Sequence, residues 1–332
     1  MPKANWSAET TTGQLEGFVA PGFTRVAEVF EQNFRHHSEL GASVAVTIDG
    51  ETVVDVWGGY ADISGLYPWE RNTKSLVWSC TKGATAFCAH ILASRGELNL
   101  DALVSDYWPE YAQNGKHNTT VSMLLSHQSG ICVLTNPIPD GGFYDWDLMI
   151  SLIEKQQPQF EPGTTHGYQG MTFGWLIGEV IRRISGKSLG TFFHDNIAKP
   201  IGADFWIGLP EDEESDCASL IQPDPAGADL SHPFFQAGMQ EDTVQWHLLN
   251  NSGRHMSANE NGTACFDTQE AHRAEIGAAG GITNGRGLAK MYSALAVGGT
   301  LNGRTYVNAD TLARMGAVAS ASGRDFALKR PT

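Results

Sequence analysis

The sequence predicts an α+β fold in which an antiparallel sheet region flanked by helices is interrupted by a large, mostly helical region. Three observations lead to this fold class. A helical pattern near the start precedes an alternating pattern that is typical of a β-hairpin. The long middle of the chain is dominated by helical periodicity and loops, and a further helical pattern returns near the end. The sequence contains no internal repeat and no low-complexity linker that would divide it.

Periodicity places the elements in order along the chain. Apolar residues recur at helical spacing over about residues 21–37 and predict the first helix. Alternating apolar residues on both sides of the Asp49-Gly50 turn then predict the hairpin: Val44, Val46, Ile48, Val54 and Val56. Three more helices are predicted, at residues 79–94, 173–184 and 288–295. Glycines follow each of them, as expected at helix ends: Gly96, Gly186 and the pair Gly298-Gly299.

Length and composition bound the domain organisation. The chain has 332 residues, of which 41% are hydrophobic, so it can bury one large core without the help of a metal or disulfide. We expect a single domain over residues 1–332. Its sheet region would cover about residues 1–75 and 275–332, and its helical region about residues 76–274.

The charge balance limits the partners. The chain has 22 Lys and Arg against 37 Asp and Glu, a net charge of −15, which argues against nucleic acid and anionic membranes as partners. No apolar run approaches the ~20 residues of a membrane span, and residues 1–20 do not have the pattern of a secretory signal. The acidic run at residues 211–216 is expected to be an exposed loop.

Cysteine usage indicates the compartment. The five cysteines are odd in number and form no C-x-x-C pair. We therefore expect reduced thiols in a cytoplasmic protein, with neither a disulfide framework nor a zinc site.

The predicted helix that starts at Ser79 carries the most informative pattern. No charged residue stands between Lys82 and Arg95, so this helix is expected to be packed on most sides. A buried ammonium is costly unless it is paired or loses its proton. Ser79 precedes Lys82 by three residues, which on a helix places the two side chains about 5–6 Å apart.

A serine next to a buried lysine supplies both parts of covalent catalysis, a nucleophile and a group that deprotonates it. The helix N-terminus adds backbone N–H groups that can hold an oxyanion. A purely structural role is the alternative, because Ser-x-x-Lys occurs by chance in long chains and Ser79 could simply cap the helix.

The surrounding sequence resembles the serine β-lactamase and penicillin-binding-protein superfamily. Three segments carry the first part of this resemblance: WSCTKG at 78–83, RGELNLD at 95–101 and LLSHQSG at 124–130. A second block agrees with it: FEPGT at 160–164, YQG at 168–170, SGK at 185–187 and PIG at 200–202. Together they are similar to the branch of class C β-lactamases and related family VIII carboxylesterases, over about residues 20–315.

The resemblance implies roles for individual residues. Ser79 would be the acylated nucleophile, Lys82 would hold and deprotonate it, and Tyr168 would act as general base or proton relay. A phenol is a plausible base only if a cation favours its phenolate, and Lys82 could supply that charge. Gly170 stands where β-lactamases have Asn, which favours a simple ester over a β-lactam or peptide. With Gly170, the nearby His166 is expected to line the substrate pocket.

A third motif of this superfamily is a Lys-Thr-Gly, His-x-Gly or Trp-Gly-Gly triplet on a late strand. The sequence reaches Thr332 before such a strand, so we expect these C-terminal strands to be missing. That motivates a hypothesis of a different class, a truncated and catalytically silent relative that serves as a binding module.

Three other residues are weaker candidates for catalytic groups. Ser188 lies in a G-x-S-x-G match at residues 186–190, but a helix precedes it where a hydrolase would have a strand. Cys80 points about 160° away from Lys82 on the helix and is expected to be inert. His127 is expected to be structural.

The favoured function is therefore a serine acyl hydrolase, with carboxylesterase activity on a small-molecule ester and no cofactor or metal. β-Lactamase or D-amino-acid peptidase activity is the alternative, and the oligomeric state stays open.

Overall fold

A computed structural model describes residues 4–221, 230–251 and 264–332. Its N-terminal part is a four-stranded antiparallel sheet with the order β1-β2-β4-β3. The strands are β1 (Ala4–Thr10), β2 (Gly13–Val19), β3 (Gly41–Ile48) and β4 (Glu51–Gly59), and α1 (Thr24–His36) connects β2 to β3. The first predicted helix and the hairpin at Asp49-Gly50 are thus confirmed. The β1–β2 hairpin was not predicted, because exposed and polar residues dilute its alternation.

Helix α1 and the sheet share a small core of their own. The buried apolar residues of this core are Leu15, Val19, Ala20, Ala27, Phe30, Phe34, Val53, Val54 and Val56. The rings of Phe30 and Phe34 meet edge to face at 5.1 Å. The apolar stripe at helical spacing is therefore what holds α1 on the sheet.

A second, three-stranded antiparallel sheet has the order β5-β7-β6. It consists of β5 (Ser75–Leu76), β6 (Phe205–Ile207) and β7 (Gly281–Thr283). The next helix, α11 (Gly285–Ala296), runs against β3 and links the two sheets. The Gly285 N–H donates to Ser43 Oγ at 2.9 Å, and Arg286 Nε donates to the buried Asp55 carboxylate at 2.9 Å.

The helices between and after these sheets complete the architecture. They are α2 (Thr81–Ser94), α3 (Val121–Leu125), α4 (Trp146–Lys155), α5 (Thr172–Ser185), α6 (Leu189–Phe193), a π-helix (His194–Ala198), α7 (Lys199–Ile201), α8 (Pro233–Gly238), α9 (Val244–Asn250), α10 (Gln269–Arg273) and, after α11, α12 (Ala309–Met315). A short hairpin, β8 (Thr300–Leu301) and β9 (Arg304–Thr305), separates α11 from α12. The predicted helices at 79–94, 173–184 and 288–295 correspond to α2, α5 and α11.

A second and larger core is formed by the helical region and the three-stranded sheet. Helix α2 lies at its centre, as the uncharged sequence of this helix predicted. Most of its side chains are buried, including Lys82. Gly83 leaves the space into which Tyr292 reaches, because a Cβ at this position would lie only 1.9 Å from the Tyr292 hydroxyl. The small-residue face of α2 thus admits a side chain of α11.

The acidic run at residues 211–216 is only partly what the sequence predicted. Most of it is exposed, but it forms a 3-10 helix (Glu211–Asp216) instead of an open loop. Lys74 is 1% exposed and its ammonium lies 2.7 Å from Glu213 and 3.7 Å from Asp216. A buried ammonium requires such partners, so part of the acidic run is recruited to neutralise it.

In the described parts of the chain, none of the helices has the length and apolar character needed to traverse a bilayer.

Candidate active site

Ser79 lies in a tight 3-10 turn (Trp78–Cys80) immediately before α2. Trp78 has a φ of 44°, a left-handed conformation that is uncommon for a bulky residue, and its ring stacks on Phe266 at 5.3 Å. Thr81 Oγ1 donates to the Trp78 carbonyl at 2.6 Å and accepts from the Gly281 N–H at 2.8 Å. The turn is therefore held between α2 and β7.

The Ser79 side chain is not the cap of this helix. The residue that flanks α2 is Cys80, and no side-chain cap hydrogen bond forms there. The Ser79 hydroxyl instead shares a hydrogen bond of 2.6 Å with the Tyr168 hydroxyl and accepts one of 3.1 Å from Lys82 Nζ. These contacts bring the three predicted catalytic residues together.

Lys82 is held by neutral oxygens on three sides. Besides Ser79, its Nζ donates to the carbonyl of Gly170 at 2.7 Å and to that of Ala278 at 2.9 Å. Burial, with 9% of the residue exposed, lowers the pKa of Lys82 to about 7. The lysine can thus exist as a neutral amine near neutral pH.

Burial governs the pKa of Tyr168, the predicted general base or proton relay. Its pKa is raised, chiefly by burial, although the hydrogen bond with Ser79 opposes the shift. Lys82 Nζ lies 4.9 Å from the centre of the phenol ring. The role of Tyr168 as general base or proton relay stays a prediction, and a pKa raised by burial favours the relay.

Asp325 holds the backbone of Tyr168, a contact that the sequence did not predict. Its carboxylate is 2% exposed and accepts from the Tyr168 N–H at 3.2 and 3.3 Å. It also accepts from the N–H groups of Ala327 at 2.8 Å and Leu328 at 2.7 Å. No local pattern marks Asp325, since the contact joins residues 157 positions apart.

His127 packs beside the same tyrosine. Its ring lies 5.1 Å from that of Tyr168, and its Nδ1 accepts from the Gln169 N–H at 3.2 Å. Burial and the nearby Lys82 lower the pKa of His127 to about 4. His127 is therefore a neutral, hydrogen-bonded residue, in agreement with the structural role expected of it.

The two predicted pocket residues lie in different settings. Gly170 offers its carbonyl to Lys82, and a Cβ at this position would meet Leu248 at 3.1 Å. The ring of His166 instead hydrogen-bonds through both nitrogens to the hydroxyls of Ser320 and Thr332. Its side chain thus faces residues 320–332, and a role in binding substrate stays a prediction.

Ser188, the other candidate for the nucleophile, has a structural role. Ser188 Oγ accepts from the Thr191 N–H at 3.3 Å and donates to the Glu275 carboxylate at 2.7 Å. Ser188 thereby caps the N-terminus of α6. Cys80 is exposed and is a free thiol.

The two sheets and the central helical region around Ser79 define a β-lactamase/transpeptidase-like fold. The chain belongs to the Beta-lactamase family, whose sequence profile it matches over residues 26–329. This finding confirms the resemblance read from the sequence and places the chain in a superfamily of serine hydrolases.

Several relatives agree with this placement. The chain is 33% identical over 300 residues to Esterase/beta-lactamase LipL from Mycobacterium tuberculosis, a match that covers 88% of this chain and 67% of LipL. Other curated relatives are covered over 22–49% of their own length. One of them, a Beta-lactamase from Escherichia coli, is 28% identical over 54% of this chain and 46% of its own.

Solved structures match over more of the chain. A family VIII carboxylesterase superposes with a TM-score of 0.78 at 37% identity and covers 96% of this chain and 80% of its own. A penicillin-binding-protein homologue from Caulobacter crescentus gives a TM-score of 0.81 at 34% identity, over 94% of this chain and 80% of its own.

Proposed function

We propose that the protein is a carboxylesterase that works through an acyl-enzyme on Ser79. One observation carries this proposal: the Ser79 hydroxyl lies within hydrogen-bonding distance of both Lys82 Nζ at 3.1 Å and Tyr168 OH at 2.6 Å. A nucleophile with two proton-handling groups at this distance is the arrangement that covalent acyl transfer requires.

Lys82 takes the proton from Ser79 in the first step. With a pKa of about 7, a large fraction of the lysine is neutral at physiological pH. A neutral amine has two N–H bonds, which match the two carbonyls of Gly170 and Ala278. Its lone pair then points to the remaining partner, the Ser79 hydroxyl, and is placed to accept the proton.

Attack of Ser79 Oγ on the ester carbonyl forms the tetrahedral intermediate. The Ser79 N–H would hold its oxyanion, since the N–H groups of Cys80 and Thr81 already donate to backbone carbonyls of the turn. The C–O bond to the alcohol then breaks. The leaving alkoxide receives the proton from Lys82 by way of the Tyr168 hydroxyl, which passes on one proton as it takes up another. Tyr168 thus acts as a neutral relay, a role that suits a phenol with a raised pKa. Water releases the acyl group by the same steps.

Two considerations favour an ester as the substrate. Gly170 has no side-chain amide with which to bind the amide of a β-lactam or a peptide. The relatives named above include an esterase and a family VIII carboxylesterase. The LipL name also mentions β-lactamase, and therefore β-lactam hydrolysis is the second candidate.

Hydrolysis of p-nitrophenyl esters and of a chromogenic cephalosporin tests the proposal, together with labelling by a fluorophosphonate probe. We expect ester turnover and a probe adduct on Ser79, both lost in Ser79→Ala and kept in Ser188→Ala, the matched control. A predominant cephalosporin activity would favour the second candidate. Absence of turnover and labelling in the folded protein would support the silent binding module instead, and labelling of Ser188 would refute the assignment of the nucleophile.

A further inference from the structure

Three side chains of different chemistry converge outside the candidate active site. They are Glu214 in the 3-10 helix of the acidic run, Cys217 just after it, and His272 in α10. A carboxylate oxygen, the sulfur and a ring nitrogen all lie within 4.8 Å of one another. We propose that these residues form a binding site for a divalent metal ion, with Zn²⁺ as its preferred occupant.

The backbone explains why Glu214 and Cys217 point the same way. Side chains three residues apart eclipse each other on a 3-10 helix, and the Cys217 N–H closes this turn by donating to the Glu214 carbonyl at 3.1 Å. On the other side, the Leu209 N–H donates to the His272 carbonyl at 2.7 Å. The acidic run and α10 are therefore held beside each other by the backbone.

His272 is fixed as metal-binding histidines are. Its Nε2 lies 3.0 Å from the Asp267 carboxylate, which leaves Nδ1 on the side of Glu214, at 2.9 Å from Oε1. A carboxylate behind one ring nitrogen orients the other nitrogen toward a metal and raises its basicity. Asp267 would thus act as the outer partner and the remaining three residues as ligands.

A second observation points to an additional ligand at this place. Within the described part of the chain, the other carboxylate oxygen of Glu214, Oε2, is buried and has no hydrogen-bond partner. A buried carboxylate oxygen without a partner is costly. The neighbouring ammonium of Lys74 is already engaged by Glu213 and Asp216. A bound cation would give Glu214 the partner it lacks.

The chemical types of the three ligands favour one metal over others. A thiolate, an imidazole and a carboxylate suit Zn²⁺, which binds these three groups in tetrahedral sites, whereas Mg²⁺ and Ca²⁺ prefer oxygen ligands. Cys217 also lines an open cavity of about 490 Å³, together with the acidic residues Asp62, Glu70 and Asp216. Of the three ligands, Cys217 lines this cavity, so an ion and a water ligand would enter from the side of its sulfur. Cys217 would bind as a thiolate and release its proton to solvent.

The proposal departs from the expectation that the cysteines form no zinc site. That expectation rested on the absence of a C-x-x-C pair, and the ligands here are one glutamate, one cysteine and one histidine 55 residues further on. The folded chain brings them together because α10 packs on the acidic run. None of these residues takes part in the candidate active site.

Cobalt spectroscopy tests the site directly. The full chain is treated with a chelator, dialysed and titrated with Co²⁺, whose thiolate complexes absorb in the near ultraviolet. We expect this charge-transfer band to saturate at one Co²⁺ per chain, Zn²⁺ to abolish it, and Zn²⁺ to raise the melting temperature of the chelated protein. Cys217→Ser should lose the band, and His272→Gln should weaken Co²⁺ binding at least 10-fold.

Cys265→Ser is the matched control, since Cys265 is also half-buried and forms no disulfide, and this variant should keep the full band. Circular dichroism establishes whether each variant is folded. If Cys217→Ser does not fold, Glu214→Gln serves as a further ligand variant. Absence of a band in the wild type would overturn the proposal. So would a band that survives in Cys217→Ser, or an equal rise of the melting temperature with Zn²⁺ in folded His272→Gln.

Discussion

Lys82 Nζ donates a hydrogen bond of 3.1 Å to Ser79 Oγ from within the buried face of α2. No charged partner accounts for the lowered pKa of this lysine, which comes from burial. Burial makes the charged form of Lys82 costly, and for the same reason it makes neutral Lys82 available as a proton acceptor. This relationship leads to the first two predictions.

The rate of ester hydrolysis should rise with pH through about 7. Only neutral Lys82 can accept the Ser79 proton, and one pH unit below its pKa about a tenth of it is neutral. We expect kcat/KM to rise roughly 10-fold per pH unit below pH 7 and to level off above it. His127, with a pKa lowered to about 4, stays neutral over this range. A flat profile between pH 5.5 and 8 would contradict the assignment of Lys82.

Lys82→Met should abolish acylation of Ser79 and change how the free energy of unfolding depends on pH. In the wild type the pKa of Lys82 is near 7 when folded and about 10.4 when unfolded, so the unfolded state binds more protons between these values. Wild-type stability should therefore rise over this range relative to the variant. The difference in free energy of unfolding, measured in urea at pH 6 and pH 9, checks this. An unchanged difference would mean that the ammonium is not buried.

The sequence alone was sufficient for much of this site. Ser79 and Lys82 are three residues apart, in the 3-10 turn and in the first turn of α2 that follows it, so local spacing places them. The uncharged stretch after Lys82 indicates its burial. Tyr168 needed the family resemblance, because its position depends on the packing of α5 and its preceding loop against α2. The contacts of Asp325 with Tyr168 and of Glu214 with His272 could not be predicted, since each joins segments that lie far apart in the sequence.

Asp325→Asn should reduce activity as a positioning effect. The carboxylate accepts from three backbone N–H groups, including that of Tyr168, and an amide would present an NH₂ group to at least one of them. We expect kcat to fall 10-fold or more while KM changes little, because the relay hydroxyl moves relative to Ser79. The melting temperature should fall as well. A lower melting temperature with wild-type kcat would indicate a purely structural role.

Tyr168→Phe should separate the relay from the nucleophile. The variant keeps the ring next to Lys82 but removes the hydroxyl that contacts Ser79 at 2.6 Å. Loss of proton transfer to the leaving group should lower kcat by roughly 10²- to 10⁴-fold, and less for esters with an acidic alcohol such as p-nitrophenol than for alkyl esters. Tyr107→Phe is the control, since the Tyr107 hydroxyl accepts from the nearby Asn99 N–H and not from a residue of the candidate active site. Equal losses for both kinds of ester would contradict the relay.

Gly83→Ala should destabilise the fold through a single contact. The added Cβ would lie 1.9 Å from the Tyr292 hydroxyl and 3.1 Å from the ring carbon that bears it. Tyr292 is 44% exposed, so its ring can move outward, and we expect a net loss of about 1 kcal/mol, at the low end of the range for overpacking, because alanine also favours the helix. Removing the hydroxyl in Gly83→Ala/Tyr292→Phe should recover most of the loss. Gly316→Ala, where the nearest atoms to a Cβ lie at 3.8 Å, is the control that should change the free energy of unfolding in urea by less than about 0.5 kcal/mol. If the double variant is as unstable as Gly83→Ala, α2 and α11 do not meet through this pair.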